Sequence, residues 1–149
     1  MKTLVLGMGN PILSDDAVGI RIAEGLKQAA PDLDVVATSE AGLSLLEYVV
    51  GYDRLVIIDS IMTRQGEPGA LYRLEVGELG GEFCLSSSHG VDIGTAITLG
   101  ERLGYEMPGQ VSIYAVEISD NTTFSERCTA RVEQSLPGII SRIVEEERL

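Results

Sequence analysis

The chain has 149 residues, a hydrophobic content of 44% and a formal net charge of −12, which suits one domain with a buried core. So acidic a protein repels the phosphates of nucleic acids and anionic lipid surfaces, so we expect neither as a partner. No apolar run approaches the roughly 18 residues of a membrane span, and the first residues lack a signal-peptide pattern. We therefore expect a cytoplasmic protein with a single domain over residues 1–149.

Short apolar runs alternate with helical patterns along the chain, which is typical of strands alternating with helices. The predicted strands are 3–6, 34–38, 54–59, 71–76 and 111–117, and the predicted helices are 17–29, 43–50, one with its buried face at Ile93, Ala96, Ile97, Gly100 and Leu103, and 125–147, bent or restarted at Pro137. This alternation predicts an α/β fold, a single three-layer domain with a mostly parallel, twisted sheet flanked by helices on both faces.

Two further features of the chain carry predictions. Residues 77–88 are rich in glycine and serine, and we expect the most mobile loop there. Cys84 and Cys128 are far apart and form no CxxC motif. In a reducing compartment such cysteines remain thiols, so we expect two buried or half-buried thiols without a disulfide.

Potential metal ligands occur where predicted strands end. Asp15 and Asp16 follow the glycine turn 7–10, Asp59 ends the central strand, and His89, the single histidine, precedes a helix. Because the carboxyl ends of parallel strands meet at one edge of the sheet, we expect Asp16, Asp59 and His89 to come together there. Two carboxylates and one imidazole suit Ni²⁺, Zn²⁺, Fe²⁺ or Mn²⁺, and three ligands leave coordination positions open for water or substrate.

Each of these residues also has an ordinary structural interpretation. Asp15 and Asp16 can favour the first turn of the following helix through its macrodipole. Asp59 can cap a helix or brace a loop, and His89 can cap the next helix. From the residues alone, these interpretations stay open beside the metal site.

Two other functions are weaker matches. Gly7 and Gly9 fit a dinucleotide-binding G-x-G-x-x-G turn, but Ile12 occupies the third glycine position and no Walker lysine motif is present. The serines at 86–88 adjoin His89, but there is no G-x-S-x-G elbow, and sequence neighbours rarely face each other as nucleophile and base.

These motifs together resemble the hydrogenase maturation proteases, the endopeptidases that finish the large subunit of NiFe hydrogenases. The matching pieces are Gly7-x-Gly9-Asn10 with Asp15-Asp16 and Gly19, the strand 55–59, Ser88-His89-Gly90, and Tyr114-Ala115-Val116-Glu117. The similarity spans essentially the whole chain, and its N-terminal pattern is specific.

The resemblance implies cleavage of a C-terminal extension from the NiFe hydrogenase large-subunit precursor after nickel insertion. It implies Asp16, Asp59 and His89 as the metal-binding residues, with nickel carried by the precursor. Many relatives have Glu in place of Asp16, whose shorter side chain reaches less far. We assign no catalytic residue beyond this set, expect residues 77–88 to border the groove for the precursor tail, and regard a monomer as reasonable.

Two alternatives to this function remain at this stage. The first is another metal-dependent small hydrolase, such as an amidase, built on the same kind of sheet. The second is a non-catalytic nucleotide-binding module. The amidase would act on small substrates and hold its own metal tightly, whereas the module would be stabilised by nucleotides.

Overall fold

A computed structural model describes residues 1–87 and 93–149 of the chain. Its strands and helices, in chain order, are β1 (Thr3–Met8), α1 (Val18–Ala29), β2 (Asp34–Thr38), α2 (Leu46–Val49), β3 (Arg54–Ile61), β4 (Leu71–Leu74), α3 (Ile93–Arg102), β5 (Gln110–Glu117) and α4 (Ala130–Glu147). Short 3-10 turns occur at Ser14–Ala17, Gly42–Leu45 and Val76–Glu78.

The strands form one sheet in the order β2-β1-β3-β5-β4. Pairing is parallel between β2, β1, β3 and β5, while β4 joins the edge antiparallel to β5. The central strand β3 is buried from Leu55 to Ile61, as expected for a parallel strand covered on both faces. The predicted α/β fold with a mostly parallel sheet is confirmed.

Alternate side chains of each strand enter two separate cores, one on each face of the sheet. Val5, Val56 and Ile58 pack with Ile22 of α1 and other residues of α1 and α4. On the other face, strand residues such as Leu55 and Ile57 pack against the apolar sides of α2 and α3. This arrangement confirms the predicted helix, sheet and helix layers.

Some predicted boundaries were wrong because tertiary contacts decide them. Strand β3 continues two residues past Asp59, since Ile61 still pairs with Glu117 of β5. The last helix begins at Ala130 rather than at residue 125 and runs through Pro137 as one element. The residues just before it pair with another segment instead of forming helix, since Ser125 forms a β-bridge to Leu13.

Three side chains differ from their predicted environments or define them more closely. Leu103 follows α3 and is 59% exposed, so it does not extend the buried face of that helix. Both cysteines are free thiols, but only Cys128 is buried, whereas Cys84 lies exposed.

Among the described helices, none combines the length and apolarity needed to cross a bilayer.

Candidate metal centre

Two glycines let the chain pass unusually close to the end of β1. Gly9 has φ +150°, and a Cβ there would lie 2.0 Å from the backbone oxygen of Asp16. A Cβ on Gly19 would lie 2.4 Å from the carbonyl oxygens of Met8 and Ile58. The glycines therefore seat the 3-10 turn and α1 against the strands and place Asp16 above the sheet edge. They serve helix packing rather than the approach of a phosphate.

The predicted ligands Asp16 and Asp59 do come together, and Ser60 links them. The Ser60 hydroxyl donates to Asp16 Oδ1 at 3.1 Å, and the Ser60 N–H donates to Asp59 Oδ1 at 2.8 Å. Asp59 is completely buried, whereas Asp16 is half-buried. One residue thus holds both carboxylates at the carboxyl ends of β1 and β3.

The segment before residue 88 supplies the remaining donors to Asp59. Leu85 bridges to Ile61, and the Ser86 N–H donates to the Ser60 carbonyl at 3.0 Å. This pairing brings Ser87 over Asp59, where its N–H donates to Oδ2 at 3.0 Å and its hydroxyl donates to Oδ1 at 3.1 Å. The glycine- and serine-rich stretch therefore forms part of the site.

Burial dominates the electrostatics of Asp59. It raises the pKa of this carboxyl from its ordinary value of 3.8 to about 7, because a charged group loses its hydration inside the protein. Hydrogen bonds from Ser87 and Ser60 lower this pKa by less than burial raises it, and the charge of Asp16 raises it further. A dication beside the pair would stabilise the ionised form of Asp59.

The hydrogen bonds leave acceptor positions on both carboxylates. A carboxylate oxygen can accept about two hydrogen bonds. Asp59 Oδ1 already has two donors and its Oδ2 has one, while each oxygen of Asp16 has one, including the Asn10 N–H on Oδ2 at 3.1 Å. Counting the described donors, three of the four oxygens retain a position for a cation, so the pair fits a divalent metal.

A cleft of about 290 Å³ opens at Asp16. Its walls come from the loops that follow β1, β2 and β5 and from the segment that follows the 3-10 turn at Val76–Glu78. Its lining residues are Gly9, Asn10, Leu13, Asp16, Ser39, Ser86, Ser87 and Asn121. The cleft gives an extended ligand access to the exposed part of Asp16.

The third predicted ligand, His89, lies outside the described residues. Within residues 1–87 and 93–149, no three His, Cys, Asp or Glu side chains are grouped closely enough to hold a metal ion. The structure therefore shows a carboxylate pair, and the completion of the set by His89 stays a prediction.

A family of known proteins matches most of the chain. The model of the hydrogenase maturation protease family matches residues 20–146. The chain belongs to this family. The hydrogenase 2 maturation protease of Escherichia coli K12 is 28% identical over 152 residues, which cover 97% of this chain and 92% of that protein.

Solved structures of such endopeptidases share the fold. The hydrogenase maturating endopeptidase HybD from E. coli has a TM-score of 0.76 at 25% identity, covering 99% of this chain and 93% of HybD. A second E. coli endopeptidase has a TM-score of 0.76 at 29% identity, covering 97% of this chain and 91% of its own. The chain is thus a protease of a family that acts on hydrogenase precursors.

In this maturation protease, the two adjacent aspartates differ in their contacts. Asp15 accepts hydrogen bonds from the N–H groups of Ser119 and Asp120, both at 3.1 Å, and from the Thr129 N–H at 2.6 Å. The hydroxyls of Ser119 and Thr129 donate to it as well. Asp15 therefore braces the segment 119–129 and leaves the cleft to Asp16.

Ser60 and Ser87 were not predicted from the sequence as partners of the carboxylates. One signal was available for Ser60, a polar residue inside an apolar strand and directly after an acid. For Ser87 the signal was weaker, since it stands in a run of three serines. Neither pattern specifies which carboxylate its residue would contact.

Proposed function

We propose that this protease removes the C-terminal extension of a NiFe hydrogenase large-subunit precursor after nickel insertion. In this proposal, the nickel belongs to the precursor and is bound by Asp16, Asp59 and His89. The observation that carries it is the carboxylate pair joined by Ser60, of which Asp16 lines an open cleft while Asp59 lies buried behind it. Family membership supports a hydrogenase precursor as the substrate.

The charge of the site explains how loaded and empty precursors would be distinguished. Two carboxylates held by one serine repel each other, and burial adds to the cost of ionising Asp59. A dication brought by the precursor offsets both costs, so the loaded form binds better than the empty one. A nickel ion there also supplies Lewis acidity toward a carbonyl or an attacking water.

The protein's own residues keep the carboxylates in position for this task. Among the described donors, Ser60 and Ser87 give two hydrogen bonds to Asp59 Oδ1 and one to Oδ2, so Oδ2 is the oxygen of Asp59 that retains an acceptor position. Asp16 is held by the Ser60 hydroxyl and by the Asn10 N–H. Such fixed donors orient metal-binding side chains before the metal arrives.

Processing of two precursor forms tests the proposal. The purified protein is incubated with nickel-loaded and with nickel-free large-subunit precursor, and the mass of the large subunit is followed. Only the loaded precursor should lose its extension. Equal cleavage of both forms would contradict recognition through nickel. Rapid hydrolysis of small amides by a protein that retains its own metal would instead favour the amidase alternative.

A further inference from the structure

Two large apolar side chains lie uncovered beside the cleft. Phe124 is 81% exposed and Ile12 is 49% exposed. Their segments are paired, because the Ser125 N–H donates to the Ile12 carbonyl at 2.9 Å and the Ser14 N–H donates to the Ser125 carbonyl at 3.0 Å. We call Ile12 and Phe124 the apolar shelf.

The turn that carries Phe124 is held by its own hydrogen bonds. Asp120 accepts from the N–H groups of Thr122 and Thr123 at 2.9 and 3.0 Å, and from the Thr123 hydroxyl at 2.6 Å. The Asp120 N–H in turn donates to buried Asp15. Since this turn is fixed at its base, less conformational entropy is lost when Phe124 contacts a partner.

The apolar shelf lies close in the chain to two residues that line the cleft. Leu13, next to Ile12, lines the cleft together with Asp16, and Asn121, from the same turn as Phe124, lines it as well. These neighbours place Ile12 and Phe124 at the rim of the cleft that leads to Asp16.

We propose that the apolar shelf binds an apolar side chain of the hydrogenase precursor beside the segment that enters the cleft. This inference rests on the proposed function, which brings the precursor to Asp16. A protease that acts on another protein contacts it beyond the scissile bond, and aromatic side chains, Phe among them, are enriched in protein interfaces. The shelf would bind its partner through apolar contacts rather than through charge. It therefore does not depend on the net charge of −12 that the protein carries.

Steady-state processing of nickel-loaded precursor tests the shelf. Phe124→Ala should raise KM at least about tenfold and leave kcat within about twofold, because the ring anchors the precursor away from the carboxylates. Phe124→Leu should recover most of this loss. The matched control is Tyr105→Ala, which removes a 51% exposed ring. Tyr105 lies in the loop before β5, at the amino ends of the parallel strands and away from the cleft. Its KM should equal that of wild type.

The outcomes separate the shelf from the proposed function. If wild type processes the precursor and Phe124→Ala has an unchanged KM, the shelf is overturned while the proposed function stands. If wild type processes no precursor, the proposed function itself fails. Sedimentation velocity tests whether a second copy of this chain binds the shelf instead. A wild-type dimer that Phe124→Ala converts to a monomer, without a change in KM, would assign the shelf to a second copy and overturn the proposal.

Discussion

Asp15 and Asp59 are both completely buried, but their hydrogen bonding differs. Asp15 accepts from backbone and hydroxyl groups of three residues in the segment 119–129, which covers both of its oxygens. Asp59 accepts from Ser60 and Ser87 only, among the described donors, and retains a position on Oδ2.

The difference shows that a buried carboxylate can stabilise the fold at one place and keep an acceptor position for a ligand at another. A buried carboxylate is stable when donors replace the water it has lost. Asp15 has this replacement within the protein. Asp59 has it in part, and burial raises its pKa to about 7. A proton or a cation can supply what is missing, which is why we propose Asp59, and not Asp15, as a metal ligand.

The sharpest test of this comparison removes charge from the proposed ligands. Asp59→Asn and Asp16→Asn should each reduce precursor processing at least about 100-fold, because an amide keeps the size but binds a dication poorly. We expect the same of His89→Ala. Mass analysis of the large subunit measures the loss, and circular dichroism confirms the fold. Processing within tenfold of wild type would remove the variant residue from the metal site.

The second test changes the brace. Asp15→Ala leaves N–H and hydroxyl donors from the segment 119–129 without an acceptor, so it should lower the free energy of unfolding by about 3 kcal/mol. Urea unfolding without precursor measures this loss. Asp16→Ala is the matched control and should cost less than about 1 kcal/mol, because Asp16 is half-buried and accepts fewer bonds. Equal losses in the two variants would contradict the assignment of separate roles.

Much of the fold was predictable because β1, β3 and β5 are apolar runs between turn residues. The roles of Asp15 and Asp16 were not predictable in the same way. Neighbouring residues in a 3-10 turn point in different directions, and which one faces the cleft depends on a partner segment more than 100 residues later. The predicted start of α4 was wrong for the same reason, since residues 125–129 contact the turn around Leu13 and Asp15.

The site was predictable in part. The rule that ligands gather beyond the carboxyl ends of parallel strands brought Asp16 and Asp59 to one edge, although Asp59 is not the last residue of β3. The rule says nothing about second partners. The contact of Ser87 with Asp59 depends on the register between β3 and the segment at Leu85. The contact of Ser60 with Asp16 depends on how the 3-10 turn at Ser14–Ala17 lies against β3, and a single sequence reveals neither.

The pH dependence of stability gives the smallest expected effect and tests the incomplete hydrogen bonding of Asp59. Its pKa is 3.8 ordinarily and about 7 in the folded protein, so between these values the folded state holds a proton that the unfolded state releases. This contribution to stability is complete below pH 4 and is lost as pH rises to 7 and beyond. Asp59→Asn removes it.

Urea unfolding of wild type and Asp59→Asn, both without precursor, isolates this contribution. From pH 5 to pH 8, wild type should lose on the order of 2 kcal/mol relative to the variant. The amide presents a donor where the carboxylate accepted one from Ser60 or Ser87, but that cost does not change with pH. The measure is therefore how the difference in free energy of unfolding between the two proteins changes with pH. The contributions of the other titrating groups cancel in this difference. A difference that is constant across this range would contradict a raised pKa of Asp59 in the folded protein.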